Sequence, residues 1–224
     1  MQLARDVLKI LVVITFVGGV LFISAGRISW ISAWLLLLFY LVYLVLVVIW
    51  GIRNSPELII ERGKFESNVK SWDKLINALY VVFLMIMLVI MGFDSQRYGW
   101  TNMPIGFQVL GFIVMICSAW LIWRSMAENT FASRWARIQE EREQRVVTTG
   151  PYLYVRHPMY IGVIFLVFSS SLALGSLWGF VPGALIGLLY IIRTILEDRM
   201  LTKELVGYKA YALKVKYRLI PGIW

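Results

Sequence analysis

The sequence contains one cysteine, one histidine, no internal repeat and no low-complexity tract. Because Cys117 is the only cysteine, neither a disulfide framework nor a thiolate zinc site can form within the chain. His157 is the only histidine, which argues against a metal site built on imidazole ligands. We therefore expect no bound metal.

The first hydrophobic stretch has the charge pattern of a signal peptide but lacks its cleavage site. Arg5 and Lys9 precede the stretch, and no clean Ala-x-Ala sequence follows it. A second hydrophobic stretch begins soon afterwards, at Trp30. We therefore expect the first stretch to remain as an uncleaved transmembrane helix.

Hydrophobic residues make up 60% of the chain, whereas ordinary soluble domains have roughly 45–50%. They are grouped in blocks of about 20 residues, the length that crosses a hydrocarbon core of about 30 Å. Several of the ten tryptophans stand at block edges, where aromatic rings favour the membrane interface. The composition predicts an integral, polytopic membrane protein. Six hydrophobic segments can be marked, at residues 7–25, 30–50, 75–93, 105–123, 160–174 and 178–196.

All six segments should be helical, because a chain in lipid must satisfy its backbone polar groups internally. The predicted fold class is therefore all-α, a polytopic bundle of about six transmembrane helices. The last two segments are separated only by Gly175-Ser176-Leu177, which predicts a tight helical hairpin. We expect two regions: a four-helix transmembrane region at 1–125, and a region at 126–224 with a cytoplasmic connector, the hairpin and a cytoplasmic C-terminal segment.

The distribution of positive charge predicts the orientation in the membrane. Of the 22 lysines and arginines, only Arg27 and Arg97 fall in the outer connections if the N-terminus is cytoplasmic. Both termini and the two long connections are then cytoplasmic. The net charge of +9 is thereby explained by topology, and we expect no nucleic-acid partner. A charged stretch at 134–142, in the second long connection, is predicted to be a helix at the membrane surface.

Two polar sequences interrupt the hydrophobic C-terminal half. The first is Arg-His-Pro-Met-Tyr-Ile-Gly at 156–162, and the second is the pair Arg193 and Glu197 inside the last hydrophobic segment. Charges within a membrane helix are costly and usually face a bundle interior or a polar cavity. Because the hairpin is tight, both sequences lie at the same membrane height. They predict a polar pocket at the membrane surface, although an intrahelical ion pair that lowers the insertion cost is the simpler alternative.

The run at 139–160, with Val-Thr-Thr-Gly-Pro-Tyr followed by Arg-His-Pro-x-Tyr-x-Gly, resembles the isoprenylcysteine carboxyl methyltransferase family and its prokaryotic relatives. The second motif of that family, a glutamate usually followed by another acid at the end of the next helix, is matched by Glu197-Asp198. The tyrosine-rich ending at 207–222 is also similar. The resemblance covers roughly residues 129–224, and the first four helices match only in being hydrophobic.

The resemblance implies a methyltransferase without a Rossmann domain, whose cofactor is S-adenosyl-L-methionine. It implies that Glu197 holds the amino group of the cofactor and that Arg193, the expected catalytic residue, faces the carboxylate of the acceptor. We expect Tyr190, on the same helical stripe as Arg193, to contact the substrate as well. By motif position, the other residues expected to bind the cofactor are Gln139, Gln144, Arg145, Val146, Val147, Tyr152, His157, Pro158, Met159 and Tyr160.

The chemistry of methyl transfer favours an anionic acceptor. The reaction is an in-line displacement that mainly requires alignment of the reacting groups. A carboxylate is already ionised at neutral pH, and the guanidinium of Arg193 could hold it through two hydrogen bonds. An amine or thiol would first lose a proton, for which His157 is the available base. The expected substrate is a lipophilic acceptor in the bilayer, most simply a carboxylate such as isoprenylcysteine.

Four alternatives remain open from the sequence. Two are related methyltransferases, acting on phospholipid or other amines and on thiols. Sterol reductases have a similar C-terminal half, but they use a nicotinamide cofactor and usually have more spans than this chain can form. The last alternative is a membrane protein with a lipid-binding groove and no enzymatic activity.

Overall fold

The computed structural model describes residues 2–63 and 69–224, and every regular element in these two ranges is helical. The predicted all-α bundle is therefore confirmed. A π-helical turn, Phe93–Arg97, continues the fourth α-helix, and two 3₁₀ turns, Glu140–Arg142 and Gly150–Leu153, precede the sixth. The α-helices are α1 Gln2–Ala25, α2 Ile31–Asn54, α3 Pro56–Gly63, α4 Ser71–Gly92, α5 Ile105–Glu128, α6 Pro158–Leu174, α7 Phe180–Glu204 and α8 Tyr208–Lys214.

Five of these helices are long and apolar enough to cross a membrane, namely α1, α2, α4 with its π turn, α5 and α7. The sixth hydrophobic helix, α6, has 17 residues. At about 1.5 Å per residue it is somewhat shorter than the ~30 Å hydrocarbon core. α7 has 25 residues and continues to Glu204, beyond the predicted limit at 196. The described residues thus form an integral membrane bundle with one short helix.

Many large apolar side chains lie on the outer surface of the bundle. Ile23, Leu46 and Ile116 point outward and are largely exposed, whereas Met87 and Ile186 are buried in a core shared by several helices. A soluble protein rarely exposes so continuous an apolar surface. These outer faces are therefore suited to contact with the hydrocarbon core of a bilayer.

The turn between α6 and α7 is tied to the π turn after α4. The buried carboxylate of Asp94 accepts hydrogen bonds from the Ser176 hydroxyl at 2.6 Å, the Thr101 hydroxyl at 2.8 Å and the Trp178 backbone N–H at 3.1 Å. Gly175 ends α6 with φ +75°, a left-handed conformation that glycine adopts without strain. The predicted tight hairpin is therefore present and is anchored at this end.

Close contact between α5 and α6 requires glycine at position 162. A Cβ atom there would lie 2.6 Å from Ile122 Cγ1 and 3.0 Å from the backbone oxygen of Ser118. Small residues allow membrane helices to approach in this way. The space beside Gly162 is therefore filled by α5, so it is not open to a ligand.

The predicted surface helix at 134–142 is wrong. The chain there is irregular apart from one 3₁₀ turn, and Ala136, Arg137 and Gln139 are buried. The end of the bundle where α5 ends and α6 begins is here named the connector end. Arg137 is buried and pairs with Glu61 of α3 and with Glu141. Gln139 is also buried and donates a hydrogen bond of 2.7 Å to the Phe131 carbonyl oxygen. Inward-facing polar contacts of this kind replace the helix that charge patterning suggested.

Candidate active site

A pocket at the connector end is enclosed by the irregular connector, the start of α6, the end of α7 and α8. Proline at the first position of α6 fixes where that helix begins, because its missing N–H would be unpaired there in any case. The tight hairpin brings the end of α7 to the same level. The residues predicted from the sequence that line this pocket are Gln144, Arg145, Val146, Val147, Tyr152, His157, Met159, Tyr160, Arg193 and Glu197.

Tyr160 stands at the centre of the polar contacts in this pocket. Its hydroxyl donates a hydrogen bond to Glu197 Oε2. The imidazole of His157 is stacked on its ring with centroids 5.6 Å apart. The Arg193 guanidinium carbon lies over the same ring, 5.5 Å from its centroid, a distance at which a cation is attracted to an aromatic face. Both motifs are thus joined through one side chain.

Arg193 already has a carboxylate partner. Its NH2 group lies 3.0 Å from Oδ1 of Asp73, a fully buried residue of α4, and donates a hydrogen bond of 2.9 Å to the Arg134 carbonyl oxygen. Its Nε atom is 3.8 Å from Glu197 Oε2, so the ion pair within α7 is also present. The charge of this guanidinium is therefore largely balanced within the protein.

Asp198, to which the sequence motifs gave no role of its own, binds several side chains in this region. Arg156 donates two hydrogen bonds to its carboxylate, at 2.8 and 3.0 Å, and Arg218 donates one of 2.9 Å. The Tyr208 hydroxyl donates another at 2.9 Å, and Nε2 of His157 is 3.5 Å away. Arg156 is 7% exposed and belongs to this buried ionic cluster.

The same cluster fastens the C-terminal segment over the pocket. The backbone N–H groups of Arg156 and His157 donate to the carbonyl oxygens of Tyr217 and Arg218, both at 3.0 Å. The NH1 group of Arg156 donates to the Val215 carbonyl oxygen at 2.8 Å. The C-terminal segment is thus hydrogen-bonded to the two residues that precede α6.

Two tyrosines close the wall of the pocket on the α8 side. The Tyr211 hydroxyl donates a hydrogen bond of 2.8 Å to the Tyr152 carbonyl oxygen. Burial raises the pKa of Tyr211 to about 12, and burial together with the Asp198 carboxylate raises the pKa of Tyr208. Both hydroxyls are therefore protonated donors at neutral pH.

Three predicted residues do not line the pocket. Gln139 is buried behind it, where its side-chain oxygen accepts a hydrogen bond of 2.6 Å from Arg142. Pro158 is buried at the start of α6. The ring of Tyr190 packs edge-on against Tyr160 at 5.3 Å and faces a second cavity. Gln139 and Pro158 therefore lie behind the pocket wall and do not face the pocket.

The second cavity, here named the arginine chamber, has a volume of about 410 Å³. Tyr160, Arg193, Met159 and Ser133 also line the first pocket, so the two spaces share a wall. The sequence motifs did not indicate this chamber, because half of its lining residues come from α3, α4 and the connector. The remaining lining residues are Arg62, Asn77, Tyr80, Val81, Ile122, Arg134, Val163 and Tyr190.

Comparison with known proteins bears on the C-terminal half of the chain. The phospholipid methyltransferase family model matches residues 107–206. No curated protein matches the chain. The matched stretch begins in α5 and ends just after α7, so it includes the connector, the hairpin and much of the pocket wall. The matched family differs from the one that the motifs resemble. Both are families of membrane methyltransferases, and the match supports this shared activity.

Proposed function

We propose that this protein is an integral membrane methyltransferase that uses S-adenosylmethionine to methylate a lipophilic acceptor at the connector end of the bundle. One observation carries the proposal. Residues 144–147, Tyr152, His157, Tyr160 and Glu197 come from separate parts of the sequence and line a single pocket. All of them lie within the stretch that is similar to phospholipid methyltransferases.

The pocket wall supplies the types of group that bind this cofactor. Glu197 offers a carboxylate for the amino group, and Arg145 offers an exposed cation for the carboxylate of the methionine part. Val146 and Leu201 offer aliphatic surface for the adenine ring. The Nε1–H group of Trp135 is buried with no hydrogen-bond partner among the described residues, and such a donor is costly unless a ligand accepts from it. The residues therefore fit S-adenosylmethionine.

S-adenosylmethionine, when bound, supplies a methyl group that its sulfonium sulfur has already activated. The task left to the protein is to align the acceptor and to exclude water. Tyr160 and Arg193 are suited to alignment, since they form the wall between the cofactor pocket and the arginine chamber. The chamber is then the space for the acceptor group.

Two acceptors remain consistent with this arrangement. A carboxylate such as that of isoprenylcysteine needs no general base, and the arginines of the chamber would stabilise its charge. A phospholipid amine is favoured by the family match. For an amine, His157 is the nearby group that could take up a proton. Its Nε2 atom lies 3.5 Å from Oδ1 of Asp198.

The same proposal includes the orientation in the membrane and separate roles for the two halves of the chain. The connector end carries most of the lysines and arginines, so the positive-inside rule directs it toward the cytoplasm. Residues 126–224 would then form the catalytic region at the cytoplasmic face. Residues 1–125 would supply the membrane-embedded part, including the α3 and α4 side of the chamber.

Calorimetric titration with S-adenosylhomocysteine tests the proposal. Purified protein in non-ionic detergent should show saturable binding, with adenosine alone binding more weakly because it lacks the groups that meet Glu197 and Arg145. Absence of saturable binding would contradict the proposed function. A methyl-transfer assay with labelled cofactor across prenylcysteines, fatty acids, thiols and phospholipids then identifies the acceptor.

A further inference from the structure

The arginine chamber is lined by three arginines and by no aspartate or glutamate of the described residues. The three are Arg62 at the end of α3, Arg134 in the connector and Arg193 in α7. Cations grouped in a partly dry space repel one another, so an anion that enters the chamber is stabilised. The excess of positive charge therefore favours an anionic ligand.

The three arginines are not equivalent. Arg193 is balanced by Asp73 at 3.0 Å. Arg134 is largely exposed, and its guanidinium lies over the Trp135 ring. Arg62 is partly buried, donates one hydrogen bond of 2.8 Å to the Ala132 carbonyl oxygen, and has no carboxylate within 4 Å among the described residues. Among the three arginines, Arg62 is thus the partly buried one without a carboxylate partner in the described part of the chain.

The electrostatic surroundings of Arg62 point the same way. Burial lowers its pKa, Tyr43 and Tyr190 oppose this change, and the charges of Arg134 and Arg193 add to it, so that the pKa is lowered. A guanidinium nevertheless remains protonated at any physiological pH. A partly buried cation without a partner is costly to keep, and a bound anion would offset that cost.

The chamber wall also includes two tyrosines from separate helices. Tyr80 of α4 and Tyr190 of α7 line the chamber with their rings edge-on at 5.9 Å. Neither hydroxyl makes a hydrogen bond within the part of the chain that the structure describes. A tyrosine hydroxyl usually finds a partner when it is buried. They are therefore available as donors to a ligand oxygen.

We propose that the arginine chamber binds the oxyanion of the lipophilic acceptor, with Arg62 as its principal cation and Tyr80 and Tyr190 as hydroxyl donors. Val81, Ile122 and Val163 line the same chamber, so the ligand is an amphiphile with an apolar chain beside its charge. The oxyanion is the carboxylate of a lipid-linked acid or the phosphate of a phospholipid. The inference rests on the proposed function only in taking this ligand to be the methyl acceptor.

Matched amphiphiles test this inference without turnover. Farnesylcysteine and its methyl ester differ in one carboxylate, and lysophosphatidic acid and monoacylglycerol differ in one phosphate. Each is titrated into the full-length protein in non-ionic detergent, and binding is followed calorimetrically. At least one anionic amphiphile should bind about 10- to 100-fold more tightly than its neutral partner, the range expected of a charge-assisted contact. The pair with the larger ratio identifies carboxylate or phosphate as the natural group.

Variants of Arg62 assign the selectivity to this residue. Arg62→Gln should remove most of the preference for the anionic member, and Arg62→Lys should retain part of it because the charge remains. Arg53→Gln removes an exposed charge near the end of α2 and serves as the matched control. The preference should be unchanged in that variant.

Two results would overturn the inference: equal binding of both members of each pair to the unmodified protein, or an undiminished preference in Arg62→Gln. S-adenosylhomocysteine titrations of the same samples keep the two proposals apart. Normal binding of that ligand together with lost selectivity in Arg62→Gln also shows that the variant is folded. If S-adenosylhomocysteine does not bind at all, the methyltransferase proposal fails, while the amphiphile ratios still decide the assignment of the chamber.

Discussion

Arg156 and Asp198 form a bidentate ion pair across 42 positions of the sequence, with N–O distances of 2.8 and 3.0 Å. Both side chains are 6% exposed. The pair joins a residue two positions before α6 to the last turns of α7. Arg218 from the C-terminal segment binds the same carboxylate. The geometry of the pocket therefore depends on this contact, although neither residue is expected to touch the acceptor.

Replacing Arg156 by alanine should destabilise the protein by about 3–5 kcal/mol, because it leaves the Asp198 carboxylate buried with fewer partners. Thermal unfolding in detergent measures the change, and faster proteolysis of residues 205–218 should accompany it. Lys70→Ala, which breaks the exposed pair with Glu204, should cost less than about 1 kcal/mol. Similar unfolding temperatures for the two variants would contradict the role of Arg156 as a clamp.

Replacing Glu197 by alanine should abolish binding of S-adenosylhomocysteine, because the pocket loses the carboxylate proposed to hold the amino group. Glu197→Gln keeps an acceptor for the Tyr160 hydroxyl but not the charge, so affinity should fall about 10- to 100-fold. Calorimetry measures both. Glu204→Ala, two turns further along α7 and outside the pocket wall, is the control. Unchanged affinity in Glu197→Ala would remove this residue from the cofactor site.

Arg193→Ala should lower both the stability of the protein and its use of the acceptor, and a double variant separates the two effects. The single variant leaves Asp73 buried without its cation and should lose roughly 3–5 kcal/mol of stability. Combining Arg193→Met with Asp73→Asn removes both charges and should recover most of that loss. The double variant should still bind S-adenosylhomocysteine but show a raised KM or a lowered kcat for the acceptor. Normal kinetics in the double variant would show that Arg193 serves only the fold.

Gly162→Ala should destabilise the bundle by roughly 1–3 kcal/mol, since the added methyl group meets the Ile122 side chain and the Ser118 carbonyl oxygen of α5. Gly19→Ala in α1 provides the comparison, because a Cβ atom there meets nothing within 4 Å. That variant should be neutral or stabilising by up to about 1 kcal/mol, as alanine favours helices over glycine. The difference between their unfolding temperatures is the measurement, and equal shifts would contradict the close contact of α5 and α6.

The membrane helices could be predicted from the sequence because length and hydrophobicity largely determine them. The hairpin followed from the short Gly175-Ser176-Leu177 link. The connector could not be predicted in the same way, since its conformation depends on distant partners. Arg137, for example, pairs with Glu61, which is 76 positions away and in a different element. Charge patterning of a local segment carries no information about such a contact.

For the site, the motifs predicted which residues gather but not how their charges are balanced. Most of the residues expected at the cofactor lie in one pocket, whereas the pairing of Arg193 with Asp73 was not foreseen. One signal was present in the sequence: Asp73 stands at the beginning of a hydrophobic segment, where a carboxylate is costly without a partner. Arg62 had no such signal, because the connection in which it lies is rich in other charged and polar residues.

The hydrogen bonds from residues 156–157 to residues 217–218 have a consequence for biosynthesis. A growing chain inserts its helices in order, from α1 to α7, and domains fold as their parts emerge from the ribosome. The carbonyl groups of Tyr217 and Arg218 emerge about 60 residues after the N–H groups that they accept from. The pocket therefore stays open on one side until residues 217–218 have emerged, and a nascent chain halted after α7 would have α1 to α7 in place but an unfinished pocket.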